Sequence, residues 1–297
     1  MKIKNKFSIS IVGAGRLGGA LAIALDRKNY RITTVVARRF ETAARAAHQI
    51  SPPPEILTAE NLAELPPSDI VFITTSDPEI EPTAARLAAN RNFNSETIFL
   101  HTSGSLSSAV LSRLKDGGAS VGSLHPLVSV SDSRAGAERF AGAFFCVEGD
   151  AKAVAAAKQI ATDLGGESFE INPEFKTLYH AAALMTAGHL VALFDVAAET
   201  LSRCGIEESD ARRILLPLAR SALENLGRQT PAAALTGTFS RADAETMRRH
   251  LESLREHETA LRVYEELGKR SIELARAQGA DSEKLAEMSS ILLNLKQ

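Results

Sequence analysis

The sequence has no tryptophan, three tyrosines and two cysteines, and its 34 basic and 36 acidic residues nearly cancel, for a formal net charge of −2. Each scarcity excludes something. Without a basic surplus the chain lacks the electrostatic footprint of a nucleic-acid binder. With aromatics at 5 % it also lacks the stacking platforms that single strands require. Cys146 and Cys204 stand far apart with no ligand-type neighbours, so they read as reduced thiols and not as a disulfide. The seven histidines include no pair at metal-ligand spacing beside an acid, and no metal is expected. The start "MKIKNKF" is basic like a signal peptide but runs into a strand and a glycine turn. The longest uncharged apolar run, "AAALMTAGHLVALF" at 181–194, is too short to span a bilayer. The expectation is a soluble cytoplasmic protein with neither nucleic-acid nor membrane partner.

The first half of the chain alternates two patterns. Short β-branched runs at 8–13, 31–37, 69–75, 97–102, 119–125, 143–149 and 166–171 suit strands buried on both faces of a parallel sheet. Helical patterns fall between them at 16–28, 40–48, 78–90, 106–115 and 151–164. Such alternation indicates a doubly wound α/β Rossmann domain over 1–171. From Asn172 the strand signals stop. One long helix from Pro173 to a stop at Gly205 is expected, then helices near 207–227, 241–278 (broken) and 281–295. Residues 172–297 therefore read as an all-α domain, whose Ala-rich first helix suits a bundle or a homodimer interface.

Within "SISIVGAGRLGGALAIAL" the spacing G-x-G-x-x-G joins the first strand to the first helix. Gly13 turns the chain, Gly15 admits a pyrophosphate, and Gly18 allows close helix–strand contact. The turn Gly13, Ala14, Gly15, Arg16, Leu17 and Gly18 would thus hold a dinucleotide at a helix N-terminus. An NAD site usually places an acid about 20 residues further on. Here "VVARRF" puts Arg38 and Arg39 there, which suits a 2′-phosphate and predicts NADP(H).

In an open sheet, ligands lie beyond the carboxyl ends of the strands. Thr75 and Ser76 in "TTSD", Ser103 in "HTSG" and His125 in "SLHP" end three strands there, while His101 reads as structural. In "KTLYHAAA", Lys176, Tyr179 and His180 share a helix face. Lys176 could stabilise or protonate a carbonyl oxygen, or it could be a solvated lysine, and His180 could be a core residue; spacing does not choose. Motifs of other enzyme classes are missing: H-E-x-x-H, G-x-S-x-G, G-x-x-x-x-G-K-[ST], and the pair Y-x-x-x-K, since Tyr264 is followed at i+4 by Gly268.

"GAGRLGGAL", "HTSG", "SLHP", "KTLYHAAA" and "LTGTFSRADAETMRRHL" (235–251), in this order, resemble one family. It comprises Rossmann-like oxidoreductases with a helical C-terminal domain of unknown function, a branch of the 6-phosphogluconate-dehydrogenase-like group. That group includes ketopantoate and pyrroline-5-carboxylate reductases. The resemblance implies a reductase of a small, anionic carbonyl or imine compound, with ketopantoate as one candidate. It also implies a catalytic Lys176 opening a helix of the second domain, with His180, Ser103 and His125 beside the substrate between the two domains. The chain departs from the family pattern at Ala187 and Gly188, where relatives carry Ser-Asn, and at Thr238 and Ala242 in the later motif. Those departures motivate a rival expectation, a non-catalytic NADP(H)-binding sensor or scaffold.

Overall fold

In the computed structural model, which describes residues 6–294, the chain forms two compact units, Met1–Met185 and Thr186–Gln297. Most of the basic start 1–7, and residue 295 at the end of the last expected helix, lie outside the described residues.

The first unit is built on an eight-stranded sheet of order β3-β2-β1-β4-β5-β6-β7-β8. Its strands are β1 (Ser8–Val12), β2 (Arg31–Ala37), β3 (Glu55–Thr58), β4 (Ile70–Ile73), β5 (Ile98–His101), β6 (Ser120–Pro126), β7 (Phe144–Gly149) and β8 (Glu167–Glu170). All neighbours pair in parallel except β6 with β7. The central strands alternate between two cores. Ile70 and Phe72 of β4, with Ile98 and Leu100 of β5, enter one core together with α1 (Arg16–Arg27) and α6 (Ala151–Asp163). Val71, Ile73 and Phe99 enter the other with α3 (Asp77–Ala88) and α4 (Ser112–Asp116). A strand buried on both faces needs apolar residues at every position, which is why these runs do not alternate in polarity.

The doubly wound expectation holds, with particular corrections. The strand β3 was not expected: "EILT" is four residues long, follows three prolines and is only half-buried. Nor were α2's successor, a 3-10 turn at Ala59–Glu64, and the short α5 (Ser133–Glu138), whose small residues carry little periodicity; α2 itself spans Phe40–Ala47. The helix expected at 106–115 is a 3-10 turn, Ser108–Leu111, leading into α4.

The long helix expected from Pro173 to Gly205 is two helices, α7 (Lys176–Thr186) and α8 (Gly188–Ser202), separated by a single turn residue, Ala187, with φ of −106° and ψ of −70°. The first of these folds with the sheet, so the boundary falls at 185/186 and not at 171/172. The run Pro173–Ser202 has 30 residues and a mean hydropathy of 1.6 in its most apolar window, enough by length and composition alone to cross a membrane. This corrects the expectation that the apolar stretch is too short. Its start is nevertheless committed to the α/β unit through the buried Lys176.

The second unit continues with α9 (Glu208–Leu226), α10 (Pro231–Ala234), α11 (Ala244–Leu254), α12 (Glu258–Ala277) and α13 (Ser282–Asn294). Its core gathers Met247 and Leu251 of α11, Ile272 and Ala275 of α12, and Leu285, Met288 and Leu292 of α13. By contrast, α8 and α9 leave Leu190, Val191, Leu193, Ile214, Leu216 and Leu218 exposed.

Candidate active site

The carboxyl ends of β1, β2 and β4 border a cavity of about 300 Å3 lined by Gly13, Ala14, Gly15, Arg38, Arg39 and Thr74–Ser76, among others. Gly13 has φ of +115°, and a Cβ there would stand 2.7 Å from the Thr74 carbonyl carbon. A Cβ at Gly18 would stand 2.3 Å from the Gly13 oxygen, so these two glycines are demanded by packing. Gly15 differs: its nearest atom would be 4.0 Å away, and a side chain would enter open space in the cavity. The turn is held by Gly13 N–H and Ala14 N–H donating to the Val36 carbonyl at 2.9 and 3.0 Å, and by Thr74 Oγ1 donating to the Gly13 carbonyl at 2.8 Å.

Arg38 and Arg39 are exposed, and neither has a carboxylate at ion-pair distance among the described residues. Thr75 Oγ1 is buried without a hydrogen-bond partner, and Ser76 precedes the first turn of α3. Arg16 does not line this cavity but a neighbouring recess, and Leu17 packs partly buried against the core. A glycine that packing does not require, an orphaned buried hydroxyl and two unpaired guanidiniums fit a phosphorylated dinucleotide.

Further along the same sheet edge, at the ends of β5 and β6, the structure gathers a second group. His125 Nδ1 and the Tyr179 hydroxyl are 2.6 Å apart. The His180 ring stands edge-on to His125 with centroids 5.7 Å apart. Gly104 closes over both: a Cβ there would lie 2.4 Å from His180 Nδ1 and 2.8 Å from His125 Nε2. His180 Nδ1 has no hydrogen-bond partner. Burial holds the Tyr179 phenol well above its ordinary range, so the hydroxyl that meets His125 Nδ1 keeps its proton. Burial, assisted by the Lys176 charge, lowers His125 from 6.5 to about 4 and His101 to about 3.

Two expected residues take other roles. Lys176 does not face the open edge. It is 1 % exposed, and its ammonium donates to Ser123 Oγ at 2.9 Å and lies 3.9 Å from Glu148 Oε1. Desolvation pulls its pKa down from the ordinary lysine range. Ser103 is also buried. Its Oγ accepts from the N–H groups of Ser105 (3.1 Å) and Leu106 (3.0 Å), so it closes the turn after β5. His101 ends β5, fully buried, with Nδ1 accepting from the Ser103 N–H at 3.1 Å.

Sequence reasoning missed Glu148, Ser123, Gly104 and the place of Cys146. Glu148 is 3 % exposed and accepts from Ser108 N–H (2.9 Å) and Ser108 Oγ (2.8 Å) in addition to facing Lys176. Its signal was legible: an acid inside the apolar run "AFFCVEG" must have a buried partner. Cys146, read as an ordinary thiol, lies beside the Tyr179 hydroxyl, and burial raises its pKa.

Residues 2–126 match the Rossmann-like domain family, and residues 143–271 match the family described as Domain of unknown function (DUF2520). The two matches lie one after the other along the chain, the Rossmann-like domain first. Among solved structures it is similar to a candidate NADP oxidoreductase from Bacteroides fragilis, at 24 % identity and a TM-score of 0.72 over 90 % of this chain and 98 % of that one. A protein from Thermotoga maritima is similar at 24 % identity and a TM-score of 0.72, over 91 % of this chain and 99 % of the other. The Plasmodium falciparum pyrroline carboxylate reductase, a structure with NADP bound, is more distant, at 11 % identity and a TM-score of 0.57 over 91 % and 99 % of the two chains. At these identities the likeness establishes the fold. No curated protein sequence matches the chain significantly.

The buried pair generates a stability prediction. Lys176→Met or Glu148→Met alone should cost about 3–5 kcal/mol, because each strands a buried partner. The Lys176→Met/Glu148→Met double variant should cost clearly less than the two single losses added together, as read from urea unfolding. The histidines generate a second. Both have folded pKa values below the ordinary 6.5, so between about pH 6.5 and 4 the unfolded chain binds protons that the folded chain refuses. Stability should fall as pH drops through that window, and the His125 and His101 ring resonances in NMR should not titrate above about pH 5.

Proposed function

We propose that the protein is a cytoplasmic NADP(H)-dependent reductase of a small, anionic carbonyl or imine compound, with 2-oxo acids such as ketopantoate among the candidates. One observation carries this reading: packing leaves Gly15 free to lack a side chain beside a cavity that ends on two unpaired arginines. The Gly13–Gly18 turn and the start of α1 receive the pyrophosphate, Arg38 and Arg39 the 2′-phosphate, and Thr75 and Ser76 the ribose side of the cavity. The similarity to a pyrroline carboxylate reductase supports an imine or carbonyl substrate bearing a carboxylate.

When bound, NADPH supplies the hydride. In the tautomer that carries its proton on Nε2, neutral His125 would donate a hydrogen bond to the substrate oxygen or nitrogen and stabilise the charge developing there, the Tyr179 hydroxyl would hold Nδ1, and the proton that completes the product would come from water. His180 and Gly104 hold the His125 ring in place and keep water from it. Lys176 acts through position: burial keeps His125 neutral with the lysine charge adding to it, and the anchorage of Lys176 to Ser123 and Glu148 sets the first turn of α7.

Calorimetry should find NADPH bound at least about tenfold more tightly than NADH, with Arg38→Ala erasing most of that preference. A screen of 2-oxo acids and cyclic imines should then find NADPH oxidation with at least one compound. On that compound His125→Asn should lower kcat about 100-fold or more while leaving NADPH affinity unchanged. Cofactor binding with no turnover on any compound would instead favour the sensor reading.

The second copy of the chain is the proposed partner. Leu190, Val191 and Leu193 of α8 and Ile214, Leu216 and Leu218 of α9 are exposed, and a homodimer would cover apolar side chains of this kind. Light scattering should give twice the chain mass of 31.8 kDa; a monomer mass at micromolar concentration would refute it.

A further inference from the structure

A recess of about 580 Å3 adjoins the cofactor cavity, sharing Ala14, Gly15, Arg39 and Thr42 with it. It continues from these along α2 to Arg45 and His48, and across to Arg134 at the start of α5. Four guanidiniums, those of Arg16, Arg39, Arg45 and Arg134, line this one space. None has a carboxylate at ion-pair distance among the described residues.

Single arginines without an ion pair also occur elsewhere among the described residues, Arg220 and Arg276 for example, but here four line one space. In the helical unit Arg203, Arg212, Arg248, Arg255, Arg262 and Arg270 each stand on a glutamate. The acid at the edge of the recess, Asp132, is spent on the N–H groups of Arg134 and Ala135 at 2.9 and 3.1 Å. Arg134 is oriented by its Nε donating to Gln49 Oε1 at 2.8 Å, which leaves its two terminal nitrogens for a ligand. Like charges gathered without counter-charges repel one another, and the arrangement is relieved by an anion with several acceptor oxygens. A phosphate group meets that requirement, because its oxygens match the planar fork of arginine in pairs. The space is far larger than a phosphate alone and falls in the range of small-molecule sites.

We propose that this recess binds a phosphomonoester, with Arg45 and Arg134 as its dedicated cations and Arg16 and Arg39 shared with the cofactor cavity. Two sources can supply the group: the cofactor's own 2′-phosphate reaching past Arg39, or a separate phosphorylated small molecule seated beside the cofactor. The first source rests on the NADP(H) reading; the second stands without it.

The test compares the wild type with the Arg45→Gln/Arg134→Gln double variant by calorimetry, after circular dichroism has shown that the variant folds. The probes are NADPH, NADH, 2′,5′-ADP and inorganic phosphate, the last added to both free and NADPH-saturated protein. If the cofactor is the source, the variant weakens NADPH and 2′,5′-ADP about tenfold or more and leaves NADH unchanged. If a separate compound is the source, NADPH affinity is unchanged, and phosphate binds the saturated wild type but not the variant. A variant that binds all four probes like the wild type overturns the proposal. Should the wild type bind NADPH no better than NADH, the cofactor reading fails. The phosphate titrations of free wild type and variant then decide the recess by themselves, and phosphate binding absent from both would overturn it.

Discussion

The buried ammonium of Lys176 is the constraint on which the rest of the chemical end depends. Moving a charge of that size out of water costs several kcal/mol even after relaxation, and the chain offsets it with the Ser123 hydroxyl and the Glu148 carboxylate. Glu148 in turn is satisfied by the Ser108 N–H and hydroxyl. One charge pair therefore ties together β6, β7, the segment after β5 and the first turn of α7. Because the helix repeats every 3.6 residues, fixing Lys176 also fixes Tyr179 and His180 on the neighbouring face. This places the phenol on His125 Nδ1 and the second imidazole against the His125 ring.

The carboxyl edge of the sheet consequently carries two electrostatic environments. At the ends of β1 and β2, arginines stand in solvent without acidic partners, around backbone N–H groups at the start of α1. Such a surface attracts multiply charged anions and holds them by charge-assisted hydrogen bonds. At the ends of β5 and β6, by contrast, burial and the inward-turned Lys176 keep the imidazoles uncharged. A neutral imidazole is a hydrogen-bond donor and acceptor and a very weak acid, and in a poorly hydrated setting its hydrogen bonds are strong.

The glycines show how one residue type serves different physical ends along this edge. Gly13 and Gly18 are compelled by their neighbours' backbone atoms, and Gly104 by two histidine rings. Gly15 is under no such compulsion, since a Cβ there would have its nearest neighbour at 4.0 Å. In the helical unit several arginines find glutamates within three or four residues, whereas Arg38 and Arg39 beside the glycine turn have no carboxylate at ion-pair distance among the described residues.

Taken alone, the sequence determined what depends on local order. The unbroken apolar strands, the Gly13–Gly18 turn and the arginines after β2 follow from period, spacing and residue type, and these set the α/β class and the cofactor end. Short or half-exposed pieces such as β3 and α5 carry too few residues for any period to emerge. The tertiary structure alone decided the direction of side chains whose partners are distant in the chain. Spacing put Lys176 on a helix face but could not reveal that Ser123 and Glu148 wait on that side, 53 and 28 positions earlier. Ser103 follows a strand end where ligands lie, and its hydroxyl accepts the N–H groups of its own turn. Burial of a charge or a hydroxyl is settled by what packs around it, and contacts made across a sheet leave no period in the sequence.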